Sequence, residues 1–143
     1  MKIEHIKNDL FISTDSLAHC VSQDLNMGAG IAKIFKKTFG LQKELQNKNK
    51  QIGEVAIVKQ TVGLHHRYIY YLITKQRYFH KPTYKTLTAS LINMRTHIIK
   101  RDIPTLSIPR IGCGLDKLNW EKVESILEEV FKDIDIIISV YSL

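Results

Sequence analysis

The sequence is poor in several features that mark particular classes of protein. It has only two cysteines, Cys20 and Cys113, and their spacing fits neither a metal site nor a redox pair. This argues against a disulfide-rich secreted domain and leads us to expect a reducing, intracellular location. The longest apolar run, IDIIISVYSL, is too short and too interrupted to span a bilayer. The N-terminus, MKIEHIKNDL, has no apolar signal core. We therefore expect neither a secretory peptide nor a membrane partner.

The common nucleotide-binding fingerprints are also missing. A glycine-rich stretch, NMGAGIA, opens a predicted helix, but Phe35 and Lys36 follow, so G-x-G-x-x-G is absent. No G-K-[ST] sequence occurs, which excludes a P-loop. The six histidines are scattered, and the adjacent pair His65 and His66 lacks a third ligand at a useful spacing. We expect no metal and no cofactor.

What is present indicates one soluble α/β domain over residues 1–143. The chain has 143 residues, 44% hydrophobic, which suits a single core. Its formal net charge of +7 favours polyanionic partners such as nucleic acid or nucleotides. A solvated lysine surface explains the same charge, so both interpretations stay open at this point.

Apolar periodicity alternates between strand-like and helix-like segments. Predicted strands are KIEHIKNDLF, ending near Asp9, then GEVAIVKQ, RYIYYLITK, TLSIPRI and IDIIISVYSL, with TVGLHH as the turn between GEVAIVKQ and RYIYYLITK. DSLAHCVS is a second short apolar run. Predicted helices are Ala29 to Phe39, a segment starting near Pro82 and Thr83, and WEKVESILEEVFK, while QKELQNKNKQ is an exposed helix or loop. This order predicts a mostly parallel sheet flanked by helices. Ligands of such sheets bind where strands end and loops enter helices.

Two glycine loops fall at such places. In GCGLD, the N–H groups of Cys113, Gly114 and Leu115 could surround a phosphate, with Asp116 in the same cleft. The alternative is a tight strand-to-helix turn with Asp116 at the helix entry. In NMGAGIA, Gly28 and Gly30 permit close backbone approach, and the following helix offers its positive end to an anion. The alternative here is a glycine-softened helix entry.

Three further residues could carry chemistry. Lys75 ends the apolar strand YIYYLITK, where desolvation or a second cation could free its amine as a nucleophile, unless it simply reaches solvent. Asp9 could accept a hydrogen bond from an exocyclic amine or form a turn. Cys113 is better explained as a small loop residue than as a thiol nucleophile, because no histidine base is indicated.

Together these segments resemble the macrodomain family, which binds ADP-ribose, and within it the terminal ADP-ribose protein glycohydrolase branch. The similarity covers nearly the whole chain. It rests on NDLF, DSLAHCVSQD, MGAGIA, FKKTFG, GEVAIVK, RYIYYLITK, HKPTY, PRIGCGLDKLNWE and VYSL. It implies a three-layer α/β/α sandwich around a central mixed, mostly parallel sheet.

The resemblance also assigns roles to positions. It places the catalytic lysine on Lys75 and the catalytic aspartate on Asp116. It implies adenine contacts at Asp9 and Leu10, and closure of the nucleoside end by Leu143. The ribose and diphosphate contacts fall on Ser22, Met27, Gly28, Ala29, Gly30 and Ile31, and on Pro109, Ile111, Gly112, Cys113, Gly114 and Leu115. In QRYF, Tyr78 and Phe79 depart from the smaller or more polar residues expected after the lysine, and TVGLHHR lengthens the preceding turn.

The implied activity is hydrolysis of ADP-ribose from glutamate or aspartate side chains through a lysine adduct, together with deacylation of O-acetyl-ADP-ribose. The implied partners are ADP-ribose and ADP-ribosylated proteins, and the protein is expected to be a monomer. Three alternatives remain: a hydrolase of ADP-ribosylated nucleic acid, a non-catalytic reader of ADP-ribose or poly(ADP-ribose), and a generic nucleic-acid-binding domain. No base-stacking platform or recognition helix supports the last of these.

Overall fold

A six-stranded mixed sheet forms the centre of the fold. The structure, a computed structural model, describes residues 1–143. The strands are β1 (Lys2–Lys7), β2 (Ser16–Ser22), β3 (Val55–Val62), β4 (His65–Lys75), β5 (Thr105–Ile108) and β6 (Ile137–Ser142). Their order in the sheet is β1-β6-β5-β2-β4-β3. All neighbours are parallel except the hairpin formed by β3 and β4.

Helices cover both faces of this sheet, which confirms the predicted three-layer α/β/α architecture. They are α1 (Gly30–Phe39), α2 (Gln42–Lys48), α3 (Tyr84–Arg101) and α4 (Trp120–Phe131), with a short 3-10 turn at Leu10–Ile12. Apolar residues of α3 and α4 pack with one core cluster. Residues of α1, α2 and the 3-10 turn pack with the other. No helix combines the length and the apolar character that a membrane span requires.

Strand β4 shows why its sequence has an unbroken apolar run. Tyr70 and Leu72 belong to the core on the α3 and α4 side. Ile69, Tyr71 and Ile73 belong to the core on the α1 and α2 side. Because successive side chains of a strand point to opposite faces, a central strand with helices on both sides must be apolar at every position.

Two local predictions differ from the structure, and a third, which left helix and loop open, resolves to a helix. Strands β3 and β4 continue through most of TVGLHH, so that the turn between them shrinks to Gly63 and Leu64, the two-residue connection that antiparallel strands prefer. The polar segment after α1 forms α2, because Leu45 is buried and anchors it. Strand β1 ends at Lys7 rather than near Asp9.

An irregularity in the pairing of β2 with β4 lies directly beside the candidate site. Val21 pairs with Ile73, but the next residue, Ser22, pairs with Lys75. Strand β4 therefore contains one additional residue there, as in a β-bulge, which bends a strand and redirects the side chains that follow. The bulge sets the direction in which β4 presents Lys75 at its carboxyl end.

Candidate active site

A cavity of about 1020 Å³ opens where β2, β4 and β5 end. This volume is at the upper end of the range for small-molecule sites. Its walls come from the segment between β2 and α1, from the residues that follow β4, and from the loop between β5 and α4. The structure therefore brings both predicted glycine loops to one site at the carboxyl edge of the sheet.

Lys75 and Asp116 meet inside this cavity. The Lys75 Nζ atom lies 2.6 Å from Asp116 Oδ1, and the two side chains are 14% and 17% exposed. Both line the cavity, so the lysine does not simply extend into solvent. An amine and a carboxylate at this distance can exchange a proton directly, which is what a nucleophile and its general base require.

The first glycine loop ends in the uncapped N-terminus of α1. Ala29 occupies the N-cap position, and no side chain hydrogen-bonds to the first turn, which also lacks acidic residues. The backbone N–H groups from Gly28 to Ala32 donate to no other group of the protein, and all five residues line the cavity. Free amides at the positive end of a helix dipole form an anion-binding site.

The backbone of this loop is strained. Leu25 has a φ of 55° and Met27 a φ of 48°, in the left-handed region that non-glycine residues rarely adopt. Both side chains are nonetheless buried in the core under α1, and their burial offsets the strain. Backbone strain of this kind concentrates at functional sites.

Asp24 ties the first loop to the residues that follow Lys75. Its carboxylate accepts hydrogen bonds from the Ser22 hydroxyl, from Asn26 N at 3.1 Å and from Tyr78 N at 3.0 Å. Burial by itself would raise the pKa of Asp24, but these hydrogen bonds and the charge of Arg77 outweigh it and lower the pKa. Asp24 therefore stays ionised and joins the segment between β2 and α1 to the residues that follow β4.

The second glycine loop is held mainly by its own backbone. Cys113 N donates to Arg110 O at 3.1 Å, and Leu118 N donates to Gly112 O at 2.7 Å. The predicted phosphate contact of the Cys113 amide is therefore not available in this geometry. The N–H groups of Gly114 and Leu115 donate to no other group of the protein, so these two amides remain free to bind an anion.

Neither cysteine at the cavity is suited to act as a nucleophile. Burial raises the pKa of Cys20 well above its ordinary value. Burial also raises the pKa of Cys113, although the charge of Arg110 opposes the shift. Both thiols are thus held in their protonated, weakly nucleophilic form.

Most of the residues singled out from the sequence line this one cavity. They are Ser22, Met27, Gly28, Ala29, Gly30, Ile31, Lys75, Pro109, Ile111, Gly112, Cys113, Gly114, Leu115 and Asp116. Asp9, Leu10 and Leu143 are not among the lining residues. Asp9 instead caps the 3-10 turn by accepting a hydrogen bond from Phe11 N, and Leu10 is buried in the core. The roles of these three residues stay predictions.

Sequence reasoning missed two residues that shape the cavity wall. Asp24 left a weak signal, because a serine and an aspartate two residues apart before a glycine loop are typical of side chains that bond to a nearby backbone. Lys81 gave no signal in the sequence, because its Nζ atom donates to Leu115 O, at 3.0 Å but 34 residues away in the chain. The helix entry predicted for Asp116 belongs to Asn119, whose side chain caps α4 by accepting from Lys122 N.

Fold and cavity together define an α/β protein in which an anion-binding helix N-terminus stands beside a lysine–carboxylate pair. The family described as Macro domain matches residues 18–127. The chain is 55% identical to the ADP-ribose glycohydrolase OARD1 of Homo sapiens, over 99% of this chain and 92% of that protein. The chain belongs to the macrodomain family.

Solved structures agree on the fold. The macrodomain of Mycobacterium tuberculosis DarG superposes with a TM-score of 0.86 at 26% identity, covering 99% of this chain and 97% of that one. Thermosipho africanus DarTG in complex with ADP-ribose superposes with a TM-score of 0.85 at 22% identity, covering 98% of this chain and 41% of that one. At this level of identity the second match supports the shared fold alone.

Proposed function

We propose that this protein binds ADP-ribose and is a hydrolase that releases it from glutamate and aspartate side chains. The observation that carries the proposal is the contact between Lys75 Nζ and Asp116 Oδ1 at 2.6 Å, inside a cavity with free backbone amides on two loops. The 55% identity to a protein named ADP-ribose glycohydrolase supports the same activity.

Binding of the diphosphate uses the amides that the fold leaves free. The N-terminus of α1 supplies N–H groups from Gly28 to Ala32, and the second loop supplies those of Gly114 and Leu115. Holding the diphosphate between them fixes the distal ribose near Lys75, so that attack on its anomeric carbon becomes effectively intramolecular. The adenine then extends toward Asp9, Leu10 and Leu143, as the family resemblance implies.

In the first step, the ammonium of Lys75 gives a proton to Asp116 and the free amine attacks the anomeric carbon. The bond from that carbon to the acyl oxygen breaks, and the carboxylate leaves with the electron pair. The nitrogen then loses a proton to solvent. Asp116 protonates the ring oxygen as the sugar ring opens, which leaves a protonated Schiff base on Lys75.

In the second step, water adds to the carbon of the Schiff base while Asp116 takes the proton of the water. The carbon–nitrogen bond then breaks, with the proton returned to Lys75, and the released aldehyde closes to ribose. The sum is one ester and one water converted to ADP-ribose, a carboxylate and a proton. Both side chains return to their starting state, as catalysis requires.

The same site suits a smaller ester of the same sugar, so the proposal extends to O-acetyl-ADP-ribose. ADP-ribose on nucleic acid remains the alternative substrate, and the net charge of +7 is its support. Both cysteines are free thiols, in keeping with the intracellular location that we propose.

Release of ADP-ribose from a glutamate-modified protein by the wild type and by Lys75→Ala tests the proposal. We expect release by the wild type and none by the variant, because the adduct cannot form without the amine. ADP-ribose binding, measured by calorimetry, should persist in Lys75→Ala. Reduction with borohydride during turnover should leave the sugar attached at Lys75, detectable by mass spectrometry.

The matched control is Lys59→Ala, which removes an exposed lysine from β3 and should leave release intact. Release by Lys75→Ala at the wild-type rate would refute the covalent mechanism. Binding of ADP-ribose without release by the wild type would identify a reader instead of a hydrolase.

A further inference from the structure

The loop that follows β4 presents two aromatic side chains at the mouth of the cavity. In this rim loop, Gln76 to Lys81, Tyr78 is 57% exposed and Phe79 is 64% exposed. Both line the cavity that holds Lys75. Large apolar side chains exposed side by side beside a reaction site call for a functional explanation.

The rim loop is fixed at both ends. At its start, Asp24 N donates to Gln76 O at 3.2 Å, and the Asp24 carboxylate accepts from Tyr78 N at 3.0 Å. At its end, Lys81 Nζ donates to Leu115 O at 3.0 Å, which joins the rim loop to the second glycine loop. The backbone that carries the two rings is therefore tied to both glycine loops of the cavity.

The rings form a corner and leave no slot between parallel faces. Tyr78 and Phe79 have ring centroids 5.3 Å apart at an interplanar angle of 85°. Phe79 and His80 have centroids 4.7 Å apart at 73°. A nucleobase is best held by an open, flat aromatic face, whereas an irregular apolar corner suits a branched or aliphatic side chain.

One cation of the rim loop has a hydrogen-bond partner, and the other influences a nearby carboxylate. The Lys81 ammonium is hydrogen-bonded to Leu115 O, and the charge of Arg77 acts on Asp24. The shape of the apolar surface, and not the charge of the rim loop, therefore favours a polypeptide over a phosphodiester strand.

The geometry points to an acceptor subsite: Tyr78 and Phe79 contact the polypeptide that carries the modified carboxylate and select substrates with an apolar side chain next to it. This rests on the proposed function, because it assumes that the distal ribose lies at Lys75 with its linkage directed outward. The aromatic pair is then specificity-determining, while the glycine loops bind the ADP-ribose common to all substrates.

Binding to Lys75→Ala tests the subsite independently of turnover. Two glutamate-linked ADP-ribosyl peptides are compared, one with leucine and one with serine beside the modified residue. We expect the leucine peptide to bind about tenfold more tightly, the effect of burying part of one aliphatic side chain. In a Lys75→Ala protein that also carries Tyr78→Ser and Phe79→Ser, this ratio should fall to about one.

Leu64→Ser in the same Lys75→Ala background is the matched control, because Leu64 is fully exposed at the tip of the β3–β4 hairpin, away from the cavity lining. It should retain the tenfold ratio, and thermal unfolding should show that every variant is folded. Equal affinity for the two peptides, or a preference that survives loss of both rings, would overturn the subsite.

An ADP-ribosylated oligonucleotide is the third probe. If removal of both rings weakens the binding of this oligonucleotide more than the binding of the leucine peptide, the polypeptide assignment is overturned. The proposed function fails separately, by an absence of release in the wild type, whatever the outcome of these binding ratios.

Discussion

The two glycine loops look alike in sequence and differ in what holds them. The first, Leu25 to Gly30, is strained at Leu25 and Met27, has few internal backbone bonds and depends on the carboxylate of Asp24. The second, Gly112 to Leu118, closes on itself through backbone hydrogen bonds. The first loop is thus stabilised from outside, and the second largely from within.

The glycines within the second loop also differ in purpose. Gly112 has a φ of +73°, and a Cβ atom there would lie 2.8 Å from Leu118 Cδ1. Gly114 has no positive φ, and a Cβ atom there would meet nothing within 4 Å. The protein itself requires glycine at position 112, whereas at position 114 only a bound ligand would. One G-x-G motif therefore combines a glycine that the fold requires and a glycine that we propose lies against the ligand.

Gly114→Glu should have the largest effect on ligand binding. The new side chain occupies the space that we assign to the phosphate and adds a like charge. ADP-ribose affinity, measured by calorimetry, should fall by roughly 100-fold or more, which corresponds to about 2.8 kcal/mol. Gly114→Gln introduces the clash without the charge, and its loss of ADP-ribose affinity should be smaller. Wild-type affinity in Gly114→Glu would place the diphosphate elsewhere.

Gly112→Ala should have the next largest effect, which is a loss of stability. An alanine forced into the left-handed region costs about 1–2 kcal/mol, and its Cβ atom must displace Leu118. Chemical denaturation should show this loss in the free energy of unfolding. Gly114→Ala is the matched control and should stay within about 0.5 kcal/mol of wild type. Equal losses in the two variants would contradict the division of roles within the loop.

Substitution of His19 should have a smaller effect, on the stability of the core beside α1, the helix that follows the first glycine loop. Its ring stacks on Phe35 of α1 at a centroid distance of 3.7 Å, and neither ring nitrogen has a hydrogen-bond partner. Burial lowers the pKa of His19 from 6.5 to about 3. The unfolded chain therefore binds a proton at His19 that the folded chain does not bind. The free energy of unfolding falls as the pH drops from 6.5 toward 3.

Between pH 6.5 and 5.5, protonation of His19 in the unfolded chain should lower the free energy of unfolding by about 1 kcal/mol. The slope should never exceed ~1.4 kcal/mol per pH unit. Thermal unfolding of His19→Phe across this range should show a correspondingly flatter pH dependence. His66→Phe, at an exposed position of β4, should keep the slope of the wild type. An unchanged slope in His19→Phe would mean that other groups cause the acid sensitivity.

The fold was largely predictable because its signals are local. Apolar periodicity placed α3 and α4 almost to the residue, and Thr83 caps α3 as a residue of its type at a helix start should. The weaker prediction, for α2, failed to choose between helix and loop because one buried side chain, Leu45, decides it. A single apolar residue in a polar segment carries no periodic signal.

The site was predictable in its parts and not in its connections. Lys75 and Asp116 could be named from strand-end and loop position, but their contact joins residues 41 apart in the chain. The same holds for Asp24 with Tyr78, separated by 54 residues. Such contacts depend on how the helices and strands pack against one another. No local pattern in the sequence indicates that packing.

The bulge between Ile73 and Lys75 has a consequence for the lengths that this chain can tolerate. Removing the additional residue, Thr74, would restore regular pairing and remove the bend that sets the direction of the Lys75 side chain. Insertions or deletions next to Lys75 should therefore abolish function even where the sheet survives. At Gly63 and Leu64, on the exposed hairpin tip, the chain can change length with little penalty.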